Sequence, residues 1–175
     1  MSTLEVKELS HPAGEVIKIA AGKTLDLKTQ GSVTMPTGSL LQTMQSGTIA
    51  RTTVTASAWI DTNVVLSITP SSTSSEILIT VNQPLLVAGS TPMRGGLRLL
   101  RGSTVIWNTY GFNEHFQVRN ADNEHSTVVN INQLDSPSTT STVTYKVQVY
   151  MLTGTQVIAW ESAMGTNMIL QEIQG

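Results

Sequence analysis

Val143-Thr144-Tyr145-Lys146-Val147-Gln148-Val149-Tyr150-Met151 alternates with a period of two. Val143, Tyr145, Val147, Val149 and Met151 fall on one side; Thr144, Lys146, Gln148 and Tyr150 fall on the other. An extended strand points successive side chains to opposite faces, so this stretch reads as a strand with one apolar and one mixed face. Outward from it, the same reasoning marks candidate strands at 40–45, 47–56, 63–69, 76–87, 96–100, 105–109, 112–119, 126–134, 142–152, 156–161 and 167–173. Turn chemistry separates them. Pro70 opens a Ser/Thr run ending at Ser75, Arg101-Gly102-Ser103-Thr104 reads as a hairpin loop, and 120–123 and 135–138 are further loops. Gly95-Gly96, between Pro92 and Leu97, reads as a strand-entry turn. No helical period stands out.

Composition points the same way. The 175 residues include 25 Thr, 16 Val and 12 Ile, all β-branched and at home in strands, together with 18 Ser. Hydrophobic content of 39 % with a net charge of −2 excludes a disordered Ser/Thr-rich chain. The expectation is an all-β protein whose residues 39–175 form a jelly-roll β-sandwich. Greek-key order is not legible in the pattern. The absence of cysteine excludes disulfides, thiolate metal sites and cysteine nucleophiles. The near-neutral charge argues against nucleic acid, and no apolar run reaches the length of a membrane span. Met1–Ser10 is too polar for a signal peptide, so a cytoplasmic site of assembly is expected.

Charge is scarce, 13 % of residues, about half the usual share. It is also unevenly placed. None occurs between Lys28 and Arg51, between Glu76 and Arg94, or between Lys146 and Glu161. Such runs are buried either in the chain's own core or against copies of it. The leader adds an eight-residue rhythm: Ile17 and Ile19, then Leu25 and Leu27, then Val33 and Met35. Turn formers separate the pairs, at Ala21-Gly22-Lys23, Thr29-Gln30-Gly31 and Pro36-Thr37-Gly38. Strands this short cannot bury both apolar side chains within one copy, so stacking or winding of chains would be needed. An accidental rhythm in an ordinary meander is the alternative over so few copies. Residues 1–38 thus read as a leader and thin stem, and 39–175 as the head.

Catalytic constellations are missing. There is no phosphate-binding Gly loop followed by Lys-Ser/Thr and no Gly-x-Ser-x-Gly elbow. Nothing selects two of the twelve acidic residues as a glycosidase pair. Glu114-His115 and Glu124-His125 flank a loop rich in Asn and Asp, but adjacent strand residues point apart, which disfavours chelation by either pair. No metal and no cofactor is expected. Four aromatic residues, Trp107, Tyr110, Phe112 and Phe116, lie within ten positions. They read either as one end of the sandwich core or as a contact tip. Trp107, Tyr110, Asn113, His115, Arg119, Asp122 and His125 are therefore the candidate distal-loop or receptor contacts, since Asn113–His125 holds the densest polar cluster of the chain.

The segment 16–27, with its Gly22-Lys23-Thr24-Leu25 turn, and the Pro36-Thr37-Gly38 exit resemble small tail-fibre or virion structural proteins of marine phages. The segment Leu66–Ile79 and the ending Asn167–Ile173 are similar to strands of the same group. The resemblance implies a homotrimer with a jelly-roll head broadly like the heads of C1q and tumour necrosis factor. Three chains about an axis would hide Ile17, Ile19, Leu25, Leu27, Val33 and Met35. The function expected is a non-enzymatic phage virion protein, assembled in the host cytoplasm. It would dock on other virion proteins through its leader and present the head to a host-surface glycan or protein. A capsid-decorating protein is the alternative, because the stem is short for a fibre. A small glycan-degrading tail enzyme and a carbohydrate-binding module are further alternatives.

Overall fold

The computed structural model describes residues 21–22, 35–89, 92–109, 116–118 and 123–175. The chain divides into two compact units, Met1–Thr34 and Met35–Gly175. In the first, Ala21 and Gly22 form a turn with Gly22 at φ 74°, a backbone conformation that glycine adopts without strain. Ile17, Ile19, Leu25, Leu27 and Val33 lie outside the described residues.

The second unit is built from strands β1 Leu40–Gln45, β2 Thr52–Val54, β3 Trp59–Ile68, β4 Glu76–Gly89, β5 Met93–Arg101 and β6 Thr104–Asn108. They are followed by β7 Phe116–Val118, β8 Asn123–Asp135, β9 Val143–Thr153, β10 Gln156–Ala159 and β11 Asn167–Ile173. A single-turn 3-10 helix, Ser162–Met164, is the one helical element among the described residues. The stretch that opened the sequence reading becomes β9. Its five odd-numbered apolar residues are buried, while Thr144, Lys146 and Tyr150 on the other side are half-exposed.

All pairings are antiparallel and form two sheets. In the first, β8 runs along one edge of β4 for its whole length, Ile77 opposite Asp135 to Gly89 opposite Asn123. The other edge of β4 takes β11 over residues 76–82 and β10 over 85–88. Beyond them lie β1, paired with β11, and β2, paired with β10. Pro84 and Gln83 sit at the break between β10 and β11, where a residue without an N–H disturbs the ladder least. There the Pro84 carbonyl accepts from the Trp160 N–H instead (3.1 Å). In the second sheet, β9 lies between β3 and β5, and β6 and β7 share the far edge of β5.

Counting β1/β2, β6/β7 and β10/β11 as interrupted single rows gives eight rows. Their chain order is 1-8-3-6 in one sheet and 2-7-4-5 in the other. Only rows 4 and 5 are joined within a sheet, by the predicted Gly102-Ser103 hairpin with Gly102 at φ 58°. The core lies between the sheets. Ile77, Ile79, Val81 and Leu85 of β4 and Ile131 of β8 meet Leu97 and Leu99 of β5 and Tyr145 and Val147 of β9. Each such side chain contributes roughly 1.5–3 kcal/mol through burial.

Gly95 and Gly96 depart from the expected turn: both lie inside β5 and are buried. A Cβ at Gly95 would run into the Phe116 ring and the Tyr150 carbonyl, so the glycine admits close packing rather than a bend.

The two ends of the sandwich collect different connections. At one end are the start of β1, the β3–β4, β5–β6 and β8–β9 loops, and the C-terminus. There the Gly38 N–H donates to the Gln174 carbonyl (2.7 Å) and the Gln174 N–H to the Ser39 carbonyl (2.8 Å). Asn123 and the β2–β3, β4–β5 and β9–β10 connections lie at the opposite end.

Candidate functional site

The strands leave two outward faces. On the first sheet, the outward row of β4 is Leu78, Thr80, Asn82, Pro84 and Leu86, with Glu76 at one extreme. Their β8 partners are Leu134, Asn132, Asn130, Val128 and Ser126, and the next charge along β8 is Glu124. On β11 the same face carries Ile169 and Gln171, and on β10 Ile158. Val128 is 54 % exposed and Leu134 45 %. Between Glu76 and Glu124 the paired outward rows of β4 and β8 hold no charge, and β8 leaves a thirteen-residue edge without a strand partner among the described residues. A long edge strand without charges in its middle is a ready template for association with another chain.

The outward face of the second sheet has the opposite chemistry. Register places Trp59, Tyr150 and Gly96 in one row, and Asp61, Gln148, Arg98 and Asn108 in the next. The Trp59 and Tyr150 rings lie 5.3 Å apart at a 38° tilt. The Arg98 guanidinium stacks on the Trp59 ring at 4.5 Å. Arg98 Nε donates to Gln148 Oε1 (2.6 Å), and Gln148 Nε2 donates to Asp61 Oδ1. Lys146 Nζ donates to Asp61 Oδ2 at 2.8 Å. This roof leaves Gln148 only 9 % exposed although it points away from the core. The hydrogen bonds from Lys146 and Gln148 hold the Asp61 carboxyl below its ordinary range, while burial lowers the Arg98 pKa.

Two other acidic groups are held structurally. Glu172 is fully buried: its Oε1 accepts from Ser71 N (2.7 Å), Ser71 Oγ (2.7 Å) and Ser75 Oγ (2.6 Å), and its Oε2 from Gln42 Nε2 (2.6 Å). Burial would raise its pKa, but the donors from Ser75, Ser71 and Gln42 outweigh burial and hold it below the ordinary value. Asp135 accepts from Tyr145 Oη (2.7 Å) and from Arg101 Nη1 (2.9 Å), linking the two sheets. Burial first, and the bond to Asp135 second, push the Tyr145 hydroxyl up. Every carboxylate oxygen of these two groups is occupied by a protein donor, which fits bracing rather than proton transfer.

The sequence-derived contacts are dispersed. Trp107 lies in β6 rather than in a loop, half-buried against the core, because the chain continues in register with Leu99 there. His125 lies in β8 opposite Val87, exposed; its neighbour Glu124 pairs with Ala88 and so occupies the other face. Tyr110, Asn113, His115, Arg119 and Asp122 are outside the described residues. Met35 is exposed where the chain enters the sandwich unit. Phe116 packs over Gly95 as part of the core. The Trp59–Arg98–Gln148–Asp61 network was missed, since its members come from three strands. The signal available was the mixed outer row Lys146, Gln148, Tyr150 of β9. Neither a scan of protein-family models nor a search of curated proteins matches the chain.

Proposed function

We propose that the chain is a non-enzymatic structural protein of a phage particle, a homotrimeric tail-fibre-type appendage. It docks by its N-terminal segment and presents a jelly-roll β-sandwich head for attachment to a host surface. The row order 1-8-3-6 against 2-7-4-5, with all but one connection crossing between sheets, supports the jelly roll. The observation that carries the assembly is the uncharged outward face of the first sheet, edged by the long free strand β8. A solitary soluble domain normally intersperses charges over its surface, whereas a face repeated around a threefold axis need not. The separation of the Gly38 entry from the Asn123 end supports the orientation, with the leader toward the virion and the far loops outward.

Sedimentation of the purified full chain tests the assembly: a trimer is expected, and a monomer at micromolar concentration sinks the reading. Antibody labelling of phage particles tests the location. Label on tail tips is expected, and label over the capsid surface would replace attachment with capsid decoration.

A further inference from the structure

We infer that the outward face of the second sheet binds a carboxylate-bearing sugar, with Arg98 as the anion receptor and the Trp59–Tyr150 pair as the apolar platform. The inference rests on the attachment role proposed above and deepens it by naming a ligand class and a place for it.

Arg98 is held in position before any ligand arrives. Stacking on Trp59 at 4.5 Å fixes the plane of its guanidinium, and the bond from Nε to Gln148 fixes its rotation. Among the described residues no protein group accepts a hydrogen bond from its Nη atoms. A guanidinium with its Nε satisfied and its Nη donors open presents the fork that a carboxylate meets in a bidentate pair. A lysine there could not reproduce that geometry.

The surrounding charges select an anion. Asp61 would repel one, but both its oxygens are engaged, one by Lys146 and the other by Gln148. Arg98, Lys146 and Asp61 together leave one positive charge over, on a chain whose net charge is −2. Arg98 does not turn to Asp61; Gln148 stands between them and passes the polarity along.

The neighbours select a sugar over a bare anion. Trp59 and Tyr150 are half-exposed rings on an open sheet face, and the absence of a side chain at Gly96 lets Trp59 lie across the strand. Rings of this kind take the C–H face of a pyranose. Asn108, exposed and in register with Arg98, and the Thr109 hydroxyl near Gly96 supply the polar rim that hydroxyl groups require. The paired outward rows of β4 and β8 carry threonine and asparagine but no guanidinium and no aromatic ring.

The test uses the full-length protein, titrated calorimetrically with tetragalacturonate, a sialic acid tetramer, the methyl ester of tetragalacturonate and a tetraglutamate peptide. At least one acidic sugar should bind, and the methyl ester and the peptide should bind at least tenfold more weakly. Arg98→Lys should weaken the sugar at least tenfold with an unchanged β circular-dichroism spectrum, and Trp59→Leu should do the same. Binding of neither acidic sugar, or equal binding by both variants, overturns the site; so does tetraglutamate binding as tightly as the sugars, which would make this a peptide surface. Oligomeric state and particle labelling are measured in parallel. A virion-bound trimer that binds neither sugar loses only this inference, while a monomer that binds them loses only the proposed assembly.

Discussion

The two sheets bury similar rows of Val, Ile and Leu against each other, yet they turn opposite chemistry outward. From Leu78 to Leu86 and across to Ser126–Leu134, the first sheet shows leucine, valine, proline, threonine and asparagine without a charge. The second shows Asp61, Lys146 and Arg98 cross-linked through Gln148 and roofed over by Trp59 and Tyr150. Three of the chain's 22 charged residues stand together on that second face. The lesson is that scarcity of charge is local: it marks the face that other copies would cover in the proposed trimer, while Asp61, Lys146 and Arg98 are gathered where they hold one another in place.

The strongest way to break this contrast is to charge the neutral face. Val128→Asp with Leu134→Asp should abolish the proposed trimer in sedimentation while leaving the β circular-dichroism spectrum intact, because both side chains are already exposed in one copy. Val65→Asp on the second sheet should leave the trimer unchanged; dissociation by that control would show the two faces to be equivalent.

Beneath the charged face, Gly95→Val should cost about 3 kcal/mol or more in denaturant unfolding, since a side chain there meets Phe116 and the Tyr150 carbonyl. A loss below about 1 kcal/mol would show that the sheet can shift.

Glu172→Gln should cost about 2 kcal/mol, by replacing an acceptor of four hydrogen bonds with an amide that cannot accept them all. The carboxyl's folded pKa lies below its ordinary 4.5. Its contribution is therefore complete above that ordinary value and is lost as pH falls through the lower folded one. The wild type should lose stability on acidification across that window more steeply than Glu172→Gln; identical slopes would remove the carboxylate from the account. Tyr145→Phe, which leaves Asp135 its Arg101 partner, should cost about 1–1.5 kcal/mol.

Smallest is Lys146→Ala. The exposed pair with Asp61 contributes at most about 1 kcal/mol, and salt should shrink it further. A larger loss that persists in high salt would mean that Lys146 braces the Asp61–Gln148–Arg98 relay rather than merely pairing at the surface.

Much of the fold was legible residue by residue. The eleven predicted strands all overlap observed ones within the described residues, and 40–45 and 167–173 coincide with β1 and β11. The reason is local, because a strand facing a core must alternate. The segment 47–56 shrinks to β2 because the row breaks near Pro84, and the proline's own sequence gives no hint of which neighbours its missing N–H will interrupt. Gly95-Gly96 was read as a turn for a related reason. A glycine that admits Phe116 and one that bends the chain look alike until the partner strand is known.

Sequence alone determined that the chain is all-β, that β9 has one buried face, and that the runs 77–93 and 147–160 carry no charge. These follow from side-chain period and composition, which act over a few residues. Tertiary structure decided which of those neutral residues point outward together, that β4 is flanked by β8 on one edge and by β10 and β11 on the other, and that Trp59, Arg98 and Gln148 meet. Each of these depends on pairing between residues 34 to 97 positions apart. Pairing at such separations is fixed by the closing of the whole core and leaves no trace in any single stretch of chain.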